Sequence, residues 1–207
     1  MSEYGYIPEA PEQSFGNNKG IFTPKDIYDL TRADKYTNYG QLELIETQTA
    51  SADNIVDFTD IKEDVYNVHF VTVNVDLSNT SSVQIRFFES GVLETASVYA
   101  TVYQNGQATG SFSETSAGNN RIFATRTGGT DEARQAYNYL YNLGDSTKYS
   151  FQTMQGVSRQ SPTTALDMRY GTGALLQAST VNGIRFTETG GGLLTGSISL
   201  YGMRTYQ

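Results

Sequence analysis

The sequence predicts an all-β protein: an antiparallel β-sandwich of jelly-roll type, preceded by an extended N-terminal arm and one short helix. Three observations carry this. Apolar and polar residues alternate with period 2 in many segments after Leu42. Turn-forming residues separate those segments at sandwich-like intervals. No strand–helix–strand repeat occurs that would build a parallel sheet. At 207 residues the chain can hold one sizeable core and an arm. The expected division is an arm over 1–40 and a sandwich over 41–207.

Three of the four prolines, Pro8, Pro11 and Pro24, lie in the first 24 residues with Gly5, Gly16 and Gly20. Such a stretch is expected to be extended and free of regular structure. Its spaced apolar residues, Tyr4, Tyr6, Ile7, Phe15, Ile21 and Phe22, suit an arm that lies along a partner. Thr23 is then a good N-cap, Pro24 suits the first helical position, and Asp26 completes a capping box. Ile27 and Leu30 share a face, and the helix is expected to fade near Arg32.

Strands follow. Val71, Val73, Val75 and Leu77 alternate with polar residues, as do Val83, Ile85 and Phe87, with Ser78-Asn79-Thr80-Ser81 as the turn between them. His69 is assigned to the face opposite Val71 and Val73. Val98, Ala100 and Val102 alternate with Tyr99, Thr101 and Tyr103, and Asn105-Gly106 predicts a hairpin turn there. Residues 132–143 fit a helical stripe or a strand. The turn at Gly144-Asp145-Ser146, and the alternation of Tyr149, Phe151 and Thr153 after it, favour a strand. Leu166, Met168 and Tyr170 supply another. The C-terminal segments Thr180–Phe186 and Leu194–Met203, joined by Gly190-Gly191-Gly192, predict a closing β-hairpin, for about eight strands in all.

Composition excludes several chemistries. The chain has no cysteine, hence no disulfide framework and no thiolate nucleophile. Its net charge is −8, and residues 1–64 carry all of it, with 13 of the 22 acidic and 5 of the 14 basic residues. Nothing forms a basic stripe, so nucleic-acid binding is not expected. Residues 1–20 lack the apolar core of a signal peptide, and no run reaches membrane-spanning length. The single histidine, His69, cannot alone anchor a zinc site, and no G-x-S-x-G elbow is present. The densest carboxylate cluster, Asp57 to Asp64, does not match a calcium loop and reads as a solvated turn. The glycine run lacks the lysine–serine pair of a phosphate loop. No catalytic, cofactor or metal site is therefore expected.

The chain has 15 tyrosines, 10 phenylalanines and no tryptophan. Tyrosine suits half-buried strands and interfaces, and its ring face also suits sugars. Tyr99, Tyr103 and Tyr170 are the candidate glycan contacts.

The pattern Asn182-Gly183-Ile184-Arg185-Phe186, then Gly196-Ser197-Ile198-Ser199-Leu200-Tyr201-Gly202-Met203, resembles the closing segment of a group of small virion structural proteins of tailed bacteriophages, many of them marine or environmental. Gly20-Ile21-Phe22-Thr23 and the segment Leu42 to Thr49 extend the resemblance to the front of the chain. It implies a non-enzymatic virion protein made in the host cytoplasm, anchored to other virion proteins by its arm. Its β-sandwich would be displayed on the particle as a tail-fibre or appendage component, or as a head decoration protein. It further implies a homo-oligomer, a trimer by analogy, and contact with a host surface glycan. A lectin-like carbohydrate-binding module is the alternative.

Overall fold

The computed structural model describes residues 13–14, 17–18, 23–33, 42–130, 133–160 and 165–203. The chain forms two compact units, Met1–Tyr39 and Gly40–Gln207.

In the first unit β1 (Gln13–Ser14) pairs antiparallel with β2 (Asn17–Asn18), a small ladder inside a stretch expected to lack regular structure. Helix α1 (Pro24–Arg32) starts as its sequence dictates. The Asp26 N–H donates to Thr23 Oγ1 at 3.2 Å, and the Thr23 N–H donates to Asp26 Oδ2 at 2.8 Å. The apolar arm residues Tyr4, Tyr6, Ile7, Phe15, Ile21 and Phe22 lie outside the described residues.

The second unit contains β3 (Leu42–Asp53), β4 (Ile55–Phe58), β5 (Val68–Leu77), β6 (Val83–Glu89), β7 (Val92–Leu93), β8 (Tyr99–Gln107) and β9 (Phe112–Asn119). Next come β10 (Ile122–Phe123), β11 (Arg134–Tyr141), β12 (Tyr149–Gln160), β13 (Ala165–Ala178), β14 (Val181–Glu188) and β15 (Leu194–Met203). They form two antiparallel sheets. One has the order β3-β15-β5-β11-β12-β13-β8-β9; the other has the order β10-β6-β14-β4, with β7 on β6.

Eight of these strands, β3, β4, β5, β6, β10, β11, β14 and β15, trace a jelly roll. One sheet holds its first, eighth, third and sixth strands side by side, and the other holds its second, seventh, fourth and fifth. The hairpins β8–β9 and β12–β13 are additions. Both join the same side of one sheet and widen it to eight strands.

The jelly-roll half has an apolar core. Val71, Val73, Val75, Ile198 and Leu200 meet Phe58, Ile85, Phe87, Ile184 and Phe186 across the sandwich. The Phe58 and Phe186 rings meet edge to face, their centroids 5.9 Å apart. Each such fully buried side chain contributes about 1.5–3 kcal/mol.

The widened half has a polar interior. Asn105, Asn138, Gln152, Ser158, Asp167 and Arg169 point inward and are buried. Segment 120–130, irregular apart from β10, lies over them and brings backbone carbonyls that no ladder satisfies, among them Phe123 O and Thr125 O. Gln152 Nε2 donates to Phe123 O at 2.8 Å and to Asn138 Oδ1 at 2.7 Å. Arg169 donates to Thr125 O at 3.2 Å and to Asn105 Oδ1 at 2.7 Å. Fully buried Arg134 donates to Ser81 O, Asn79 O and Gly129 O at 3.1, 3.1 and 2.7 Å.

Two expected turns differ from the structure. Thr180–Phe186 and Leu194–Met203 do not form a hairpin. β14 pairs with β4 and β6, β15 pairs with β3 and β5, and Gly190-Gly191-Gly192 carries the chain from one sheet to the other. The buried Glu188 carboxylate holds that crossing by accepting the N–H groups of Gly190 and Gly192, and Gly191 takes φ +81°. Asn105-Gly106 is likewise interior to β8, and the chain turns at Ala108–Gly110. A Cβ at Gly106 would stand 3.0 Å from the Phe112 ring and 3.2 Å from Met168 Cγ, so a side chain there would have to displace one of them.

Replacing Arg134 with methionine strips three carbonyls of a buried donor. We expect a loss of about 2–4 kcal/mol in unfolding free energy by denaturant titration. A change under about 0.5 kcal/mol would refute the bracing role. Gly202 packs face-on against the Tyr66 ring, 2.3 Å from where a Cβ would sit. Gly202→Ala is expected to cost about 1–3 kcal/mol in the same assay.

Candidate functional site

The outer face of the eight-stranded sheet is the most unusual surface of the domain. Alternation sends Phe70, Thr72 and Asn74 outward from β5, and Gln135, Tyr137, Tyr139 and Tyr141 from β11. From β12 it sends Phe151, Thr153, Gln155 and Val157, and from β13 Leu166, Met168 and Tyr170. β8 and β9 add Val102 and Phe112. Phe112 is 69% exposed, Leu166 60%, Val102 54% and Tyr137 41%. So many neighbouring apolar side chains on one face mark a contact surface.

The face has two textures. Over β13, β8 and β9 it is mainly aliphatic, with Val102, Leu166, Met168 and Leu176. Over β15, β5, β11 and β12 it is aromatic and amidic. There Phe70 packs on Tyr139 at 4.8 Å, Tyr201 at 6.0 Å and Tyr137 at 6.1 Å between ring centroids. Tyr139 meets Tyr137 edge-on at 6.2 Å.

A groove of about 520 Å³ crosses β5, β11 and β12 in this second region. Cross-strand register builds it. Asn74, Gln135 and Val157 form one wall, and Thr72, Tyr137 and Gln155 form the other. The row between them, Val73, Ala136 and Gly156, is the floor. Tyr137 donates its hydroxyl proton to Gln155 Oε1 at 2.6 Å. No lining residue is charged, and Tyr137 carries the sole titratable group among them.

The structure separates the three candidate glycan contacts. Tyr170 is on the open face. Tyr99 and Tyr103 are 1% exposed and turn into the sandwich, which corrects their reading as glycan contacts. Their hydroxyls accept the N–H groups of Phe87 and Phe123 at 3.0 and 2.9 Å, and burial pushes the Tyr103 phenol up to about 12. Residues 99, 101 and 103 form the inward face, so Val102 points out.

His69 is also corrected. Residues 69, 71 and 73 share one face of a strand, and His69 is fully buried with Val71 and Val73. Its Nε2 lies 2.7 Å from Ile61 O, so Nε2 carries the proton and Nδ1 is the unprotonated nitrogen. Burial lowers its pKa, more than the Ile61 contact raises it.

Two of the carboxylates of 57–64 are engaged locally. Arg185 holds Asp57 with two bonds, at 2.7 and 2.5 Å, and Lys62 holds Asp60 at 2.7 Å. A polar cleft of about 490 Å³ includes Glu63, Asp64 and Asp145. Lys148 and Thr147 keep the Asp145 carboxyl well below its usual range, the opposite of what a general acid needs. Glu89 is raised, by burial first, while hydrogen bonding lowers neighbouring Glu94; Gln177 bridges the two at 2.9 and 2.8 Å and braces the turn after β6. Among the described residues no three histidine, aspartate or glutamate side chains gather as metal ligands do, and no helix is long and apolar enough to cross a membrane.

With this geometry defined, the chain is classed by its architecture, a jelly-roll β-sandwich with one widened, open sheet. No protein-family model matches the sequence, and no curated protein matches it.

The low pKa of His69 has a consequence for stability. The unfolded chain takes up a proton near pH 6.5 while folded His69 resists until a lower pH. His69 leaves stability unchanged above that range and subtracts from it as pH falls below about 6.5, with a slope of at most about 1.4 kcal/mol per pH unit. His69→Gln keeps a donor for Ile61 O and does not titrate. Its unfolding free energy between pH 7.5 and 5 should fall less steeply than that of the native chain; equal slopes would contradict the assignment.

Proposed function

We propose that this chain is a non-enzymatic virion structural protein of a tailed bacteriophage. Its N-terminal arm anchors it to other virion proteins, and its jelly roll is displayed on the particle as a tail appendage or head decoration. The open face of the eight-stranded sheet is the observation that carries this reading, because a wide aromatic and aliphatic surface is made for contact. The jelly roll is compatible with it, being a fold of viral coats and of lectins, although a fold alone selects no function. The groove across β5, β11 and β12 offers amides, hydroxyls and rings, with no acid–base pair among its lining residues.

The aliphatic part of the face suits contact between copies of the chain, in a homo-oligomer that analogy makes a trimer. A lectin-like role is the second reading, favoured by the aromatic and amidic groove beside exposed Tyr170.

Mass spectrometry and cryo-electron microscopy of purified particles of the encoding virus test the first reading. The protein should be present, and deletion of residues 1–40 should remove it. Absence of the native chain, or normal incorporation of the truncated one, would refute it. Light scattering tests the oligomer. Val102→Asp and Leu166→Asp should each shift the protein to a smaller species with little change in melting temperature, and an unchanged mass would exclude that surface.

A further inference from the structure

We propose that the groove between the Asn74–Gln135–Val157 wall and the Thr72–Tyr137–Gln155 wall binds a neutral oligosaccharide. The inference rests on the reading of the open sheet face as a contact surface, and it assigns that part of the face a ligand.

The lining selects the ligand by elimination. A charged ligand would need an opposing charge as it leaves water, and the lining has none. A purely apolar ligand would cover the amides of Asn74, Gln135 and Gln155 without replacing their hydrogen bonds with water. An extended peptide commonly binds by adding to a sheet edge. Here each strand under the groove is already paired on both sides: β5 with β15 and β11, β11 with β5 and β12, β12 with β11 and β13. No ladder position is left for a guest strand.

A neutral sugar meets all three conditions. Its C–H-rich face packs on an aromatic ring, and the Tyr137 ring is partly exposed and held by Phe70 and Tyr139. Its hydroxyls both donate and accept, and a carboxamide answers both from one side chain. The Tyr137 hydroxyl fixes Gln155 through its oxygen, which leaves the Gln155 NH2 as the outward donor. The walls continue in register to Met168 and Tyr170 on β13. From β5 to β13 is three strand spacings, roughly 14 Å, room for a short oligosaccharide laid across the strands.

The test uses the full chain. Neutral hexasaccharides of glucose, mannose and galactose are titrated by calorimetry and nuclear magnetic resonance, with heparin and polysialic acid as charged counterparts. Saturable binding of one neutral glycan is expected. Tyr137→Ala and Gln135→Ala should each weaken it roughly tenfold or more, while Val92→Asp, exposed on β7 of the other sheet, should leave it intact. Gln135→Ala removes only an exposed amide, so it reports on the site even if Tyr137→Ala unfolds. Preference for the charged polymers, binding indifferent to Gln135→Ala, or a self-associated state dissolved by Gln135→Ala would each overturn the proposal. Lack of glycan binding by a protein still found in particles overturns the groove alone. Glycan binding by a protein absent from particles overturns the virion reading alone.

Discussion

The inequality of the two sheets governs the rest of the structure. A jelly roll of four strands on four buries both inner faces with apolar side chains. Here one sheet has eight strands, and the smaller sheet cannot cover them all. The uncovered inner surface is closed by segment 120–130, which brings unpaired backbone carbonyls with it. Burying those groups without partners would cost several kcal/mol. The strands beneath therefore present Arg134, Asn138, Gln152 and Arg169 where a sandwich would ordinarily place valine or leucine. Arg169 shows the strain on this arrangement: burial and nearby Arg126 pull its pKa down to about 10, and it stays charged, stacked over Tyr103 and Phe123.

The same inequality creates the outer face. The added hairpins extend the sheet in one direction only, giving a broad surface whose central strands are all paired. Its edges are less inviting. β9 has Ser113, Glu114, Thr115 and Ser116 exposed in succession, and β3 carries Glu43, Glu46 and Asp53. Polar and charged edge strands discourage uncontrolled strand addition. Contact is thus directed to the flat of the sheet, where side chains supply the chemistry.

How much of this was legible follows from what alternation can express. It located β5, β6, β11 and β12, and the capping box located α1, because both are local patterns. It could not assign faces where both were apolar. In β8, tyrosines alternate with Ala100 and Val102, and the choice of inward residues was settled by the hydrogen bonds of Tyr99 and Tyr103 to distant strands. β9 was missed because Phe112-Ser113-Glu114-Thr115-Ser116 has no alternation to read. Asn105-Gly106 has strong turn propensity, but Asn105 is needed as the acceptor for Arg169 within the strand. The C-terminal pair shows the same limit: two strands and a glycine turn specify a reversal, and only Glu188 and the strands on either side decide that it crosses between sheets. In the groove, the strand alternation of Tyr137, Tyr139 and Tyr141 is readable, but the place of Gln135 on the same face and its alignment with Asn74 and Gln155 depend on register that no local pattern encodes.

The polar interior and the groove are two sides of the same strands. On β11, Arg134 and Asn138 anchor the inner face while Gln135 and Tyr137 form the outer one; on β12, Gln152 and Ser158 anchor while Gln155 and Val157 line. A hydrogen-bonded underside leaves fewer ways for a strand to slide or twist than a purely apolar one, since each bond has a preferred direction. The floor of the groove is therefore held from below, and the cluster of Phe70, Tyr137 and Tyr139 restricts the ring on its wall. A weakly interacting neutral ligand gains most from such a surface, because little affinity is lost to ordering the site when it binds.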